Sequence, residues 1–216
     1  MKILSACTIV FLSILFVPAS FCFSESSIDK TMAVPFTEKQ LSDLTFVIKD
    51  TAHIRIYSTL SLIDELKVYD DLQLLDNMPE VKKLKVFINS PGGGAYAGFA
   101  IADQFKRVSD RFEISLYASG VIASAAVMVF IAVEDRYASE DTFFMVHEVA
   151  SEPSGSMSAS DVKKMNCLFD KLTAQYINNL VKHSNKTQEE WSGMLKEETW
   201  FSAQDAFDWG LVKAVK

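Results

Sequence analysis

Apolar positions along the chain switch between two periods. His53-Ile54-Arg55-Ile56-Tyr57 alternates inward and outward, as a half-buried strand does. Leu60 to Leu75 has helical spacing with mixed charge between its apolar residues. Leu84-Lys85-Val86-Phe87-Ile88 is a second short strand, ended by the breaker cluster Asn89-Ser90-Pro91-Gly92-Gly93-Gly94. The pattern then predicts a helix over 95–107, a strand from Phe112 to Ala118, a helix from Val121 to Val133, and strands at Tyr137 and Phe143–Val146. A long helix is predicted over 158–183, and a short one opens at Thr187, where Thr187-Gln188-Glu189-Glu190 fits a capping box. Ser202 to Trp209 is a last helix, stopped by Gly210, and Leu211–Val215 a last strand. Strands alternating with helices predict an α/β layered domain over residues 44–216.

The pattern before residue 44 differs. Lys2 precedes an apolar run, Ile9 to Val17, broken only by Ser13, and small residues follow soon after. That is the layout of a secretory signal peptide over residues 1–24, with cleavage after Ser24 or nearer Ala19. The competing reading is an uncleaved anchor helix, against which the short apolar core argues. Residues 25–43 are mixed and polar, a flexible segment before the domain. The expected location is therefore outside the cytoplasm: periplasmic or secreted, or membrane-anchored if the leader stays. The Val121–Val133 run is too short to be a second span, because crossing a bilayer takes roughly 20 residues.

Composition sharpens this picture. The 216 residues are 49% hydrophobic and 23% charged, with a net charge of −7. Such an apolar fraction excludes a disordered chain. The acidic balance argues against a nucleic-acid partner, which would need clustered Lys and Arg. Removing the leader takes Lys+Arg from 21 to 20 against 28 acids, so the exported chain carries −8. Cys7 and Cys22 leave with it. Cys167 alone remains, so no internal disulfide can form, and its amphipathic surroundings predict a buried structural residue.

Three features suggest chemistry. Strand 112–118 runs through Ser119-Gly120 into an apolar segment whose one polar residue is Ser124. A serine on a strand-to-helix turn is held in place beside free backbone N–H groups able to stabilise an oxyanion. Pro91-Gly92-Gly93-Gly94 lies between a strand and a helix, where glycines let backbone N–H groups approach a ligand. His147 ends the strand Phe143–Val146. His53 and His183 lack metal-ligand spacing, so neither a metal nor a cofactor is expected. Trp191, Trp200 and Trp209 are expected to pack the C-terminal helices.

The order of these features resembles the Clp protease proteolytic-subunit family of serine peptidases. The resemblance rests on Ile88-Asn89-Ser90-Pro91-Gly92-Gly93 with Ala97-Gly98, on Gly120-Val121-Ile122-Ala123-Ser124-Ala125, on Met145-Val146-His147, and on Phe201-Ser202-Ala203 with Gly210-Leu211-Val212. It implies a layered α/β fold of repeated β-β-α spiral units with a protruding helix, shared with the crotonase architecture. It implies Ser124 as nucleophile, His147 as general base, and the backbone N–H groups of Gly93 and Ala125 as oxyanion donors. It also implies a homo-oligomeric ring acting on peptides or unfolded proteins.

The departures matter as much. The family's triad aspartate falls at Met194, and a thioether cannot orient an imidazole. Glu190 and Glu197, four before and three after it on the same helical face, are the candidate substitutes. Otherwise the centre is a Ser–His dyad, or the chain is a catalytically inactive scaffold or peptide-binding protein. An exported copy would also meet no ATP-driven unfoldase, so ATP-independent cleavage is expected.

Overall fold

The structure, a computed structural model, describes residues 40–150 and 156–216; the expected signal peptide over 1–24 and most of the expected flexible segment over 25–43 lie outside the described residues. In chain order the elements are β1 (Thr45–Ile48), β2 (Thr51–Ile56), α1 (Leu62–Asp76), β3 (Lys83–Ser90), α2 (Ala95–Val108), β4 (Glu113–Ala123) and α3 (Ala125–Phe130). Then come β5 (Arg136–Ala138), β6 (Phe143–Val146), α4 (Ala159–Lys182), α5 (Gln188–Lys196), β7 (Thr199–Ser202), α6 (Ala203–Asp208) and β8 (Ala214–Val215). The strands form one sheet in the order β1-β2-β3-β4-β5-β8, with β6 branching from β4 and carrying β7. The predicted α/β class is what this chain forms.

Alternation decides the faces. Ile54, Ile56, Leu84, Val86, Ile88 and Leu116 are buried together with Leu72 of α1 and Ile101 and Phe105 of α2. The intervening residues make a row of stacked rings across five strands on the other face: Phe46, His53, Phe87, Tyr117 and Tyr137. Parallel strands β2, β3 and β4 need crossovers, which α1 and α2 supply. The described end of the polar segment before β1 is pinned to α1: Ser42 donates from N and Oγ to the buried Asp71, and Lys67 pairs with Asp43.

β4 is the element that builds the site, and here the sequence pattern misleads. The expected helix from Val121 is strand through Ala123, and α3 covers only Ala125–Phe130. β-Branched Val121 and Ile122 suit an extended backbone as well as a buried helix. Gly120, with φ 66, lets the strand change neighbour. Before it β4 pairs with β5 through Leu116–Ala118; after it β4 pairs with β6 through Val121–Ala123. The Asn89 side chain seals the bend by accepting a hydrogen bond from Val121 N at 3.1 Å.

Other expectations shift for local reasons. β8 is two residues rather than five, because Leu211 and Val212 turn into the core. Cys167 is exposed, not buried: the first half of α4 projects from the domain, and its buried residues begin at Tyr176. Trp191 is fully buried and meets Trp209 edge-on at 5.9 Å. Trp200 is 54% exposed because the alternation of β7 turns Phe201 inward instead.

α4 ends at His183, 9% exposed, which sits over the buried Arg136. Arg136 donates to the carbonyls of Leu211, Val133, His183 and Gly210, tying β5 to the C-terminal turn. Burial, then the Arg136 charge, then Lys182 lower the His183 pKa, while Glu134, 3.2 Å from Nδ1 without a hydrogen bond, opposes them. The folded chain therefore holds the proton less well than the unfolded chain. Stability contributed by neutral His183 is full above its ordinary value of 6.5 and is lost as the pH falls through the depressed value. Thermal midpoints should drop between about pH 7 and 5, and His183→Asn should flatten that drop. Equal slopes in the two proteins would contradict this account.

Candidate active site

Ser124 stands between β4 and α3 with φ 54 and ψ −126, a conformation that L-residues rarely adopt. Its neighbours hold it there. Ser124 N donates to Met145 O at 2.8 Å, and its carbonyl accepts from Val127 N and from the Tyr176 hydroxyl, each at 3.0 Å. Burial raises the Tyr176 pKa, so this phenol remains a neutral donor. Gly92 lies directly beneath: a Cβ there would meet Ala123 O at 2.6 Å and Ser124 Cβ at 2.7 Å.

His147 follows the last residue of β6. The Ser124–Met145 bond fixes β6 beside β4, and Glu148 N donates to Leu195 O at 3.1 Å, fixing the chain just after the histidine against α5. These anchors bring His147 Nε2 to 2.7 Å from Ser124 Oγ. For Nε2 to accept the serine proton, Nδ1 must carry the ring hydrogen.

The glycine loop supplies donors. Ser90 Oγ bridges it, donating to Ser58 O and accepting from Gly92 N. Leu60 bonds Gly92 O and Gly94 N, so the intervening Gly93 N–H is not taken by Leu60, and Gly93 lines the cleft that it shares with Ser124. Ala125 is the first residue of α3, and its N–H has no partner within the helix. The cleft above Ser124 and His147 has a volume of about 470 Å³, with Phe99, Met128, Met145 and Leu172 among its apolar walls.

The structure brings Ser124, His147, Gly93 and Ala125 together at this cleft. It does not bring Glu190 to them. That carboxylate closes the α5 capping box on Thr187 N at 2.7 Å and pairs with Lys186; the backbone bond first, then the Lys186 side chain, holds its pKa below the ordinary value. Glu197 is the exposed C-cap of α5, and Met194 is half-buried against the core. Among the described residues, His147 makes no hydrogen bond or ion pair with a carboxylate. Sequence reasoning missed Tyr176, which carries no motif of its own. Its one signal is its place at the start of the buried stretch of α4.

Residues 37–216 match the family model described as Clp protease. The chain is 26% identical over 141 residues to ATP-dependent Clp protease proteolytic subunit 2 of Treponema denticola, covering 62% of this chain and 66% of that one. It is 27% identical over 134 residues to ATP-dependent Clp protease proteolytic subunit 3 of Streptomyces coelicolor, covering 61% and 60%. The matches thus span less than two thirds of these relatives' lengths. Among solved structures, a point mutant of ClpP1 from Listeria monocytogenes superposes with a TM-score of 0.67 at 22% identity, covering 76% of this chain and 90% of that one. The shared fold is clear at that score.

Glycine substitutions separate space from strain. Gly92→Ala should cost about 2–4 kcal/mol, since it combines positive φ with backbone collisions. Gly94→Ala, whose nearest contact would be 3.6 Å, should cost under about 1 kcal/mol. Urea unfolding of both variants checks this. Equal losses would mean that Gly92 is not the support under Ser124.

Proposed function

The chain belongs to the Clp protease family, and on that premise we propose that it is a serine endopeptidase working through Ser124 and His147. The observation that carries the proposal is the 2.7 Å approach of His147 Nε2 to Ser124 Oγ. A neutral serine becomes a competent nucleophile when a base takes its proton as it attacks.

Ser124 Oγ attacks the scissile carbonyl carbon while its proton passes to Nε2. The oxyanion forms against the N–H groups of Gly93 and Ala125, donors whose positions are fixed before the charge develops. The C–N bond breaks as His147 returns the proton to the departing amine. Water, deprotonated by the same nitrogen, then attacks the serine ester, and the proton passes from Nε2 to the departing Ser124 Oγ as the acid is freed. The apolar walls of the cleft favour a large apolar side chain on the acyl side of the cut.

The reading extends to setting. The apolar leader supports export, and an exported chain would cleave short or already unfolded peptides without ATP or an unfoldase. The exposed half of α4, with Val162 and Leu168 each 40% exposed, supports self-association into rings. One observation favours an inactive scaffold instead: Met194 at the position where the resemblance expects an aspartate.

Fluorogenic peptides with an apolar acyl-side residue test the proposal. The purified chain should cleave them without ATP, and Ser124→Ala or His147→Ala should lower kcat at least ~10³-fold. Folded protein with no Ser124-dependent turnover would establish the scaffold reading. The export claim is tested by cell fractionation with N-terminal sequencing, and a cytosolic chain retaining Met1 would refute it.

A further inference from the structure

Each expected oxyanion donor is one half of a peptide unit whose other half is a carbonyl. Gly93 N–H shares its unit with Gly92 C=O, and Ala125 N–H shares its unit with Ser124 C=O. No peptide bond among the described residues is cis. A trans peptide is planar, so its N–H points opposite to its C=O. Whatever grips the carbonyl therefore sets the direction of the donor.

Both carbonyls are gripped from another segment. Gly92 O accepts from Leu60 N at 2.7 Å. Ser124 O accepts from Val127 N in the first turn of α3 and from the Tyr176 hydroxyl of α4, each at 3.0 Å. The grip on Gly92 is made by backbone. The grip on Ser124 includes a side chain that lies 52 residues further along the sequence.

Three observations set this phenol apart from a packing residue. Tyr176, Ile177 and Leu180 are the buried residues of α4, and an apolar side chain would fill the first position as it does the other two. Ser124 O is already satisfied by Val127 N, so the hydroxyl relieves no orphaned carbonyl; it takes the second lone pair of that oxygen. Finally, Tyr176 is 3% exposed yet lines the cleft together with Ser124 and Ala125, beside the place where an oxyanion would form. Burial raises its pKa, which keeps the phenol a neutral donor.

We propose that Tyr176 is a positioning residue for the oxyanion donor Ala125 N–H, acting through the Ser124 carbonyl. Its hydroxyl fixes the angle of the shared peptide plane. It also draws charge out of the carbonyl, which makes the N–H at the other end a stronger donor. The role in turnover rests on the peptidase reading above; the grip on the peptide does not.

Two readouts in the full-length chain test this. The first is NMR and needs no turnover. Carbonyl-labelled serine with amide-labelled alanine gives one correlation peak for Ser124-Ala125, with Ser5-Ala6, Ser158-Ala159 and Ser202-Ala203 as internal references. Tyr176→Phe should move the Ser124 carbonyl resonance upfield and leave the references in place. The second uses a peptidyl trifluoromethyl ketone with an apolar acyl-side residue. Ser124 Oγ adds to the ketone carbon, its proton passes to His147 Nε2, and the ketone oxygen becomes a hemiketal alkoxide with no group leaving. Tyr176→Phe should raise the hemiketal pKa by about one unit, a tenfold weaker hold on the alkoxide. It should also lower kcat for peptides about tenfold with little change in KM. Fluorotyrosine at position 176, a stronger donor of nearly the same shape, should lower the hemiketal pKa instead, and it decides the question even where Tyr176→Phe fails to fold. A shifted Ser124-Ala125 peak in a chain that forms no adduct would keep the grip and reject only the peptidase reading. An unmoved peak, or a hemiketal pKa indifferent to both replacements, would overturn the assignment of Tyr176.

Discussion

The backbone of Ser124, at φ 54 and ψ −126, stays in a disfavoured conformation because its surroundings define it from four directions. Met145 O takes its N–H from β6, and Val127 and Tyr176 take its carbonyl from α3 and α4. Gly92 fills the space beneath, where no side chain fits. A strained residue of this kind costs on the order of 1–3 kcal/mol, and hydrogen bonds worth roughly 0.5–1.5 kcal/mol each offset it only together. The strain turns β4 into α3 within one residue and leaves Oγ standing in the cleft.

From that residue the rest of the layout follows. α3 must be apolar throughout because it runs from the turn into the core, and all six of its residues are buried. α2 has to come close to α3, so Gly98 lies where a Cβ would sit 2.8 Å from Ala125 O. The fork of β4 at Gly120 brings β6 alongside Ser124, and with it His147. The same fork leaves β7 on the far flank of β6. Site geometry and sheet topology are one arrangement.

Much of this was legible in the residues. The run Asn89-Ser90-Pro91-Gly92-Gly93 reads as a loop between strand and helix, and its parts divide the local work. Asn89 seals the β4 bend, Ser90 bridges the loop, and the glycines admit close backbone. Ser124 and His147 were singled out by their element ends and by family resemblance. The end of β4 was not legible, because Val121-Ile122-Ala123 is apolar on every face and fits a buried strand and a buried helix alike. Nor were the exposures of Cys167 and Trp200. One depends on α4 projecting beyond the core, and the other on the pairing of β7 with β6. Helical spacing pointed to Glu190 and Glu197, but it describes neighbours within one helix only, and Glu190 is engaged at its own capping box.

The central claim is that Ser124 is a nucleophile activated by His147. Intact-mass measurement after exposure to a small fluorophosphonate tests this without choosing a substrate, because only an activated serine forms the phosphonyl ester at a useful rate. One adduct per chain, mapped to Ser124 and abolished by His147→Ala, is the predicted result. A folded protein that gains no mass, or one labelled equally well after His147→Ala, would contradict it.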